Sequence, residues 1–148
     1  MRILVVDDDI AFVEFLTLMI KDTGHQVIDV VTTGGPDVLA AYDKHLPDAA
    51  LIDFVMPSEN GINAARQILD KYPDASVVIV SGLPDIEMLR KVAKEAGALD
   101  AFKKPFSQTE FRDILSVLRF APQHFRAEPN ITPSCLQTVR QLKEKCPA

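Results

Sequence analysis

Residues 1–12 read MRILVVDDDIAF, an apolar run that ends in three consecutive carboxylates. Four adjacent apolar residues, 3–6, are typical of a strand that is covered on both faces, as in a parallel sheet between layers of helices. Asp7, Asp8 and Asp9 then follow at the carboxyl end of that strand. Ligands of open parallel sheets bind outside this edge. The stretch therefore predicts a buried first strand that carries negative charge to a binding edge.

The same alternation continues along the chain. Apolar runs at 27–31, 49–52, 77–80 and 101–102 alternate with helical patterns at about 10–22, from the Gly35-Pro36 pair, at 60–72, from Pro84 and at 108–119. Five strand–helix repeats of roughly 25 residues predict an α/β fold, a doubly wound five-stranded parallel sheet with helices on both faces. Right-handed crossovers leave few topologies for such a sheet.

Composition is that of a globular protein, since 47% of the 148 residues are hydrophobic and 25% are charged. No apolar run approaches the roughly 20 residues of a membrane helix, and no basic segment with a small-residue cleavage site precedes the first strand. The two cysteines, Cys135 and Cys146, are too few for a disulfide framework or a zinc site. We therefore expect a cytoplasmic protein without a membrane segment.

Charge is unevenly distributed. Residues 1–119 hold 12 Lys and Arg against 19 Asp and Glu, whereas residues 120–148 hold 4 against 2. An acidic body is a poor match for a nucleic-acid backbone and a better one for a cation or a basic protein surface. We expect no nucleic-acid binding by this chain alone.

The texture of the sequence changes after residue 120. Four of the ten prolines lie in residues 120–148, and the first half of this segment is typical of an irregular linker. The following stretch, SCLQTVRQLKEKC, repeats apolar residues at helical spacing, namely Leu136, Val139, Leu142 and Cys146. We expect a domain at 1–120, then a linker and a short amphipathic C-terminal helix at 121–148, capped by Thr132 or Ser134.

A third carboxylate comes from a distant strand. Asp53 ends the third apolar run in LIDFVMPSENG (51–61), at the same sheet edge as Asp7 and Asp8. Converging carboxylates repel one another, and a hard divalent cation such as Mg²⁺ relieves that repulsion. Asp9 is better placed to cap the first helix. The pattern predicts a Mg²⁺ site at Asp7, Asp8 and Asp53.

The same edge carries groups suited to phosphoryl transfer. A carboxylate such as Asp53 can act as the nucleophile and form an aspartyl phosphate. The transfer needs charge neutralisation on the phosphoryl oxygens, from Mg²⁺ and from Lys104 after the fifth strand. Ser81, after the fourth strand, can donate a further hydrogen bond. Each residue alone is weak evidence, but together on successive strand ends they are strong.

Four motifs now carry a family resemblance: VVDDD, LIDFVMP…NG, VIVSG and KKPF. In this order and at these separations they closely resemble the receiver domain of bacterial two-component response regulators, over about residues 1–120. The resemblance implies a flavodoxin-like (βα)5 fold with strand order 2-1-3-4-5. It also implies that Asp53 is the phosphoacceptor and that Asp7, Asp8, Asp53 and the backbone carbonyl of Val55 bind Mg²⁺.

The resemblance assigns the switch as well. Ser81 is the hydroxyl that follows the phosphoryl group, Lys104 pairs with it, and the Lys104–Pro105 bond is cis. One position departs from the family, because Ala101 stands where Tyr or Phe is usual. Phe102 comes one step later and is expected on the opposite face of the sheet. The aromatic switch is therefore missing or carried by another residue.

The implied function is a phosphorylation-controlled switch. A histidine kinase or histidine phosphotransfer protein donates the phosphoryl group, and the output is a change of partner or of oligomeric state, with a homodimer left open. The domain is not expected to be an enzyme beyond autophosphorylation from a phosphodonor and slow autodephosphorylation.

Two alternatives remain at this point. A haloacid-dehalogenase-like phosphohydrolase also uses an aspartate nucleophile with Mg²⁺, but its pattern needs Thr or Val where Ala11 stands after Asp7 and Asp9. The other alternative is the N-terminal half of a DNA-binding response regulator, since ITPSCLQTVRQL (131–142) faintly resembles the start of a helix-turn-helix output domain.

The first helix is unusually apolar. Its apolar residues cover well over half of the circumference, namely Phe12, Val13, Phe15, Leu16, Leu18, Met19 and Ile20. One face of a helix packed on a sheet is normally polar. Either the core face is wide, or Phe15 or Met19 meets the C-terminal helix, a second subunit or a phosphotransfer partner.

Overall fold

The computed structural model describes residues 1–120 and Gln141. Its strands are β1 (Arg2–Val6), β2 (Gln26–Val31), β3 (Ala49–Asp53), β4 (Val77–Ser81) and β5 (Asp100–Lys103). Its helices are α1 (Ile10–Asp22), α2 (Pro36–His45), α3 (Gly61–Lys71), α4 (Ile86–Glu95) and α5 (Gln108–Phe120). All strand pairs are parallel, in the order β2-β1-β3-β4-β5. The predicted fold and strand order are confirmed.

Two apolar layers cover the sheet, because successive strand residues point to opposite faces. Leu4 and Ile52 pack with α2, α3 and α4, whereas Ile3 and Leu51 pack with α1 and α5. Both faces of the central strands are thus dry, which explains their continuous apolar runs. Ala101 is fully buried in the first layer and Phe102 packs against the second, so the predicted opposition of these two side chains is confirmed.

The parallel register brings the strand ends to one edge. Val6 pairs with Ile52, Asp53 with Val80, and Ser81 with Lys103. The residues that follow β1 and β5, and the last residues of β3 and β4, therefore meet at the carboxyl edge of the sheet.

Helix starts agree with the sequence in two cases and differ in one. Asp9 caps α1, since its Oδ1 accepts a hydrogen bond from the Phe12 N–H at 3.2 Å. Pro36 opens α2 as predicted. The predicted start of α4 at Pro84 is wrong, because α4 begins at Ile86 and Asp85 caps it through the Met88 N–H at 3.1 Å. The Asp85 carboxylate satisfies a free N–H of the first turn, which sets the helix start at the residue that follows it.

Helix α1 does not bury all of its apolar residues. Met19 lies in the core at 7% exposure, so of the two residues that the sequence offered for an external contact only Phe15 remains exposed. Phe15 and Leu18 are 44% and 63% exposed, so a wide core face does not account for them either.

The predicted C-terminal helix and its caps, Thr132 or Ser134, lie outside the described residues. Gln141 alone is described there, and it is helical and exposed. Within residues 1–120, no helix combines the length and the apolarity that crossing a membrane requires.

Candidate functional site

Three carboxylates converge at the carboxyl edge of the sheet. Asp7 and Asp53 are 1% and 4% exposed, whereas Asp8 is exposed. Each offers an oxygen atom, and these oxygen atoms lie within 4.8 Å of one another. The Asp9 N–H donates to Asp7 Oδ1 at 2.9 Å, which fixes the orientation of that carboxylate. The predicted acidic cluster is thus present, with two of its members almost out of water.

Lys104 enters the cluster from the end of β5. Its Nζ lies 2.7 Å from Asp7 Oδ2 and 3.2 Å from Asp53 Oδ1. The ammonium also lies 4.7 Å from the ring centroid of Phe12, within the range of a cation–π contact. The Lys104 N–H donates to the Ser81 carbonyl at 2.8 Å, and the Lys104–Pro105 peptide bond is cis. One cation therefore bridges two carboxylates that 46 residues separate in the sequence.

Ser81 lies at the same edge but faces its own loop. It is fully buried, and its Oγ accepts a hydrogen bond from the Leu83 N–H at 3.1 Å. Leu83 is itself buried, at 2% exposure. The Ser81 hydroxyl can still donate a hydrogen bond. Its oxygen, by accepting from the Leu83 N–H, holds the loop between β4 and α4 in place.

The electrostatics of the cluster are dominated by burial. Burial raises the pKa of Asp53 to about 7, opposed by the nearby Lys104 ammonium and reinforced by the charges of Asp7 and Asp8. Burial alone would lower the pKa of Lys104, but its hydrogen bond to Asp7 and the charge of Asp53 outweigh that effect and raise it. Without a further cation, the cluster holds more negative charge than Lys104 neutralises.

Gly61 is a site residue that the sequence reasoning missed. A Cβ built on Gly61 would overlap the backbone carbonyl oxygen of Asp53. The Gly61 N–H donates to the Phe54 carbonyl at 2.7 Å, and Asn60 caps α3 by accepting from the Asn63 N–H at 3.0 Å. The start of α3 is therefore packed directly on the end of β3. The Asn-Gly pair in the Asp53 motif was the signal that could have identified it.

Phe12 is a second residue that was missed, because its place in the apolar pattern of α1 indicated only the core. Its ring packs edge-on against Phe106, with centroids 5.7 Å apart, and lies beside the Lys104 ammonium. Phe12, packed against Phe106, thus places an apolar ring beside the lysine.

At Ala101 in β5, where Tyr or Phe is usual in the family, an arginine contacts the backbone. Arg90 of α4 donates to the Ala101 carbonyl from Nε and Nη2, at 3.4 and 3.3 Å. Its Nε also lies 2.8 Å from Asp100 Oδ1. The contact between α4 and β5 is therefore polar at this point. The Ala101 side chain itself has no ring that could act as an aromatic switch.

The donor set at the edge suits a hard divalent cation. All three side chains offer oxygen, the ligand type that Mg²⁺ prefers. Asp7 and Asp53 are buried carboxylates whose negative charge Lys104 alone does not neutralise. Val55 follows Asp53 by two residues, in the loop that leads to α3. The residues present fit Mg²⁺ by charge and by donor chemistry.

Residues 3–116 match the response regulator receiver domain family. The chain therefore belongs to this family, whose members are generally signalling switches that accept a phosphoryl group and not metabolic enzymes.

Individual relatives agree. The chain is 38% identical to protein PilH of Pseudomonas aeruginosa over 119 residues, which cover 79% of this chain and 97% of PilH. It is 31% identical to the chemotaxis protein CheY of Thermotoga maritima, over 78% of this chain and 94% of that protein. Both are similar to the chain over nearly their whole length.

Solved structures show the same likeness. The CheX–CheY–BeF₃–Mg²⁺ complex of Borrelia burgdorferi matches with a TM-score of 0.72 and 28% identity, over 78% of this chain and 87% of that chain. A response regulator of Chloroflexus aurantiacus matches with a TM-score of 0.72 and 26% identity, over 80% of this chain and 97% of that one. These comparisons favour neither the dehalogenase-like phosphohydrolase nor the DNA-binding regulator.

Proposed function

We propose that Asp53 is the residue of this receiver domain that accepts the phosphoryl group, from a histidine kinase or a histidine phosphotransfer protein. The observation that carries the proposal is the position of Asp53. It is a nearly buried carboxylate within reach of two further carboxylates and of one ammonium, at the end of a central strand.

The contacts favour Asp53 over Asp7 as the nucleophile. Asp7 has both oxygens engaged, Oδ1 by the Asp9 N–H at 2.9 Å and Oδ2 by Lys104 at 2.7 Å. Asp53 meets Lys104 through Oδ1 at the longer distance of 3.2 Å. In the reaction, an Asp53 oxygen forms a bond to phosphorus while the P–N bond to the donor's histidine breaks. The released imidazole nitrogen keeps the electron pair and takes up a proton.

Asp7, Asp8 and Asp53, with the backbone carbonyl of Val55, are the residues that we expect to hold Mg²⁺. When bound, the cation supplies charge neutralisation on the phosphoryl oxygens. Lys104 supplies the second cationic contact from the chain itself, and the Phe12 ring, which packs against Phe106, lies beside its ammonium.

Signal output depends on Lys104 and Ser81, which are already hydrogen-bonded within the unphosphorylated protein and would also contact a phosphoryl group. The new phosphoryl dianion attracts Lys104 and the Ser81 hydroxyl. If Ser81 turns toward it, the buried Leu83 N–H loses its acceptor, so the loop between β4 and α4 has to rearrange. We propose that this rearrangement changes a surface at α4, β5 and α5, and with it partner binding or oligomeric state.

Three expectations remain predictions of the sequence. They are the division into a receiver domain at 1–120 and an appendage at 121–148, the cytoplasmic location, and the absence of nucleic-acid binding. Autophosphorylation from a small phosphodonor and slow autodephosphorylation belong to the proposal.

The test is phosphoryl labelling with acetyl phosphate and Mg²⁺, followed by intact-protein mass spectrometry. Wild type and Asp9→Asn should each gain one phosphoryl group, whereas Asp53→Asn should gain none. Asp9→Asn is the matched control because it removes a neighbouring charge and retains a helix cap. Full labelling of Asp53→Asn contradicts the proposal, and rapid turnover with label on Asp7 favours a phosphohydrolase.

A further inference from the structure

Helix α1 exposes large apolar side chains on its solvent side. Of the four large apolar residues exposed within residues 1–120, three belong to α1: Ile10 at 56%, Phe15 at 44% and Leu18 at 63%. We refer to these three as the α1 stripe. At 100° per residue they lie on the side of the helix away from the sheet. Three large apolar side chains exposed on one side of a helix, around the exposed Glu14, form a candidate interaction surface.

A segment of this same chain has the complementary pattern. Residues 134–146 place Leu136, Val139 and Leu142 on one helical face. An isolated helix of this length is marginal in water and needs a surface to pack on. Gln141, the residue of the segment that the structure describes, is helical and exposed, and the pattern places it opposite the apolar face.

The chain leaves the domain close to α1. The end of α5 and the end of α1 share a cleft, lined by Arg119 and Ser116 on one side and by Asp22 and Thr23 on the other. Thirteen residues, 121–133, connect Phe120 to the segment. Thirteen residues span at most about 45 Å when fully extended, more than twice the ~20 Å length of α1. The segment can therefore reach the whole α1 stripe.

Charge also favours this pairing. On the exposed side of α1, Glu14 and Asp22 outnumber Lys21. Residues 134–146 carry the opposite balance, with Arg140, Lys143 and Lys145 against Glu144. Opposite net charges orient two surfaces that already match in apolar character.

We propose that residues 134–146 fold back as an amphipathic helix and cover the α1 stripe. The tether holds the segment at an effective concentration in the millimolar range, so that a weak contact suffices. Ile10 follows Asp8 and Asp9 directly, so the covered stripe extends to the rim of the carboxylate cluster. On the basis of the proposed function, the segment also obstructs the approach of a protein phosphodonor to that rim.

The experiment measures thiol accessibility in the full chain. Cys135→Ser and Cys146→Ser remove the native thiols, and Leu18→Cys places a single reporter on the exposed stripe. The rate of maleimide labelling is followed by mass spectrometry. Leu142→Asp, which puts a charge on the apolar face of the segment, should raise the labelling rate of the reporter about twofold or more. Gln141→Asp, on the opposite face, should leave the rate unchanged.

A reference thiol and a dilution series complete the design. Asp70→Cys, on the exposed side of α3, should label at the same rate with and without Leu142→Asp. Cover within one chain predicts rates that do not change with protein concentration. An unchanged Leu18→Cys rate upon Leu142→Asp overturns the proposal, as does an equal rise at Asp70→Cys. Protection of Leu18→Cys that deepens with protein concentration also overturns it, in favour of a second copy. None of these readouts depends on phosphorylation of Asp53.

Discussion

Removing the Asp53 charge should stabilise the metal-free domain, and the effect should depend on pH. Burial raises the pKa of Asp53 from 3.8 to about 7 in the folded protein. Between these two values the folded state therefore binds more protons than the unfolded state, so the stability that Asp53 contributes falls as pH rises through this window. Asn at this position stays neutral, so the stability of the Asp53→Asn variant should not fall for this reason as pH rises.

The size of the effect follows from the pKa difference. A difference of about 3 units corresponds to about 4 kcal/mol once the pH exceeds the folded-state pKa. The stability gap between Asp53→Asn and wild type should widen by about 2.5 kcal/mol between pH 5 and pH 8. Mg²⁺ should narrow the gap, since a cation that binds only the folded wild-type cluster stabilises that protein by mass action.

The assay is urea unfolding in EDTA at a series of pH values, repeated at pH 8 with Mg²⁺. Asp70→Asn removes the same formal charge from an exposed position on α3 and serves as the control. A gap that stays constant from pH 5 to pH 8 would show that the pKa of Asp53 is not raised in the folded protein. So would an Asp53→Asn variant that is less stable than wild type at pH 8 in EDTA.

Three further predictions concern the supports of the cluster. Gly61→Ala should lower the free energy of unfolding in urea by about 2 kcal/mol and slow phosphoryl labelling, because its Cβ overlaps the Asp53 carbonyl oxygen. Gly82→Ala, whose Cβ would meet nothing within 4 Å, should lower it far less. Equal losses from the two variants would show that this overlap does not matter. Lys104→Ala should lower the free energy of unfolding by about 3 kcal/mol at pH 8 in EDTA, because it leaves two buried carboxylates without their ammonium, and it should retain some phosphoryl labelling. Lys103→Ala, at an exposed neighbouring position, is the control. A smaller loss of stability from Lys104→Ala than from Lys103→Ala would contradict the ion-pair geometry. Asp9→Ala should cost about 1 kcal/mol while Asp9→Asn costs less, because Asn can still accept from the Phe12 N–H; identical losses from both would exclude the capping role.

The sequence predicted the edge cluster well because two simple rules define it. Continuous apolar runs identify strands buried on both faces, and parallel strands bring their carboxyl ends together. Asp7, Asp53 and Lys104 each follow or end such a run. Their convergence at one edge could therefore be predicted without knowledge of the loops, whereas the ion pairs of Lys104 with Asp7 and Asp53 appear only in the structure.

What the sequence did not predict depends on contacts between distant elements. The need for glycine at position 61 arises only from the approach of α3 to the Asp53 carbonyl. The position of Phe12 beside Lys104 joins α1 to the end of β5. The start of α4 was misplaced for a local reason, since Pro84 and Asp85 are both start signals and only the cap geometry distinguishes them.

The most direct test of the account identifies the modified residue itself. The phosphorylated chain is reduced with borohydride, which converts an aspartyl phosphate to homoserine, and its peptides are sequenced by mass spectrometry. We expect homoserine at position 53 in protein labelled with acetyl phosphate in the presence of Mg²⁺. Homoserine at position 7, 8 or 9, with Asp53 intact, would contradict this expectation.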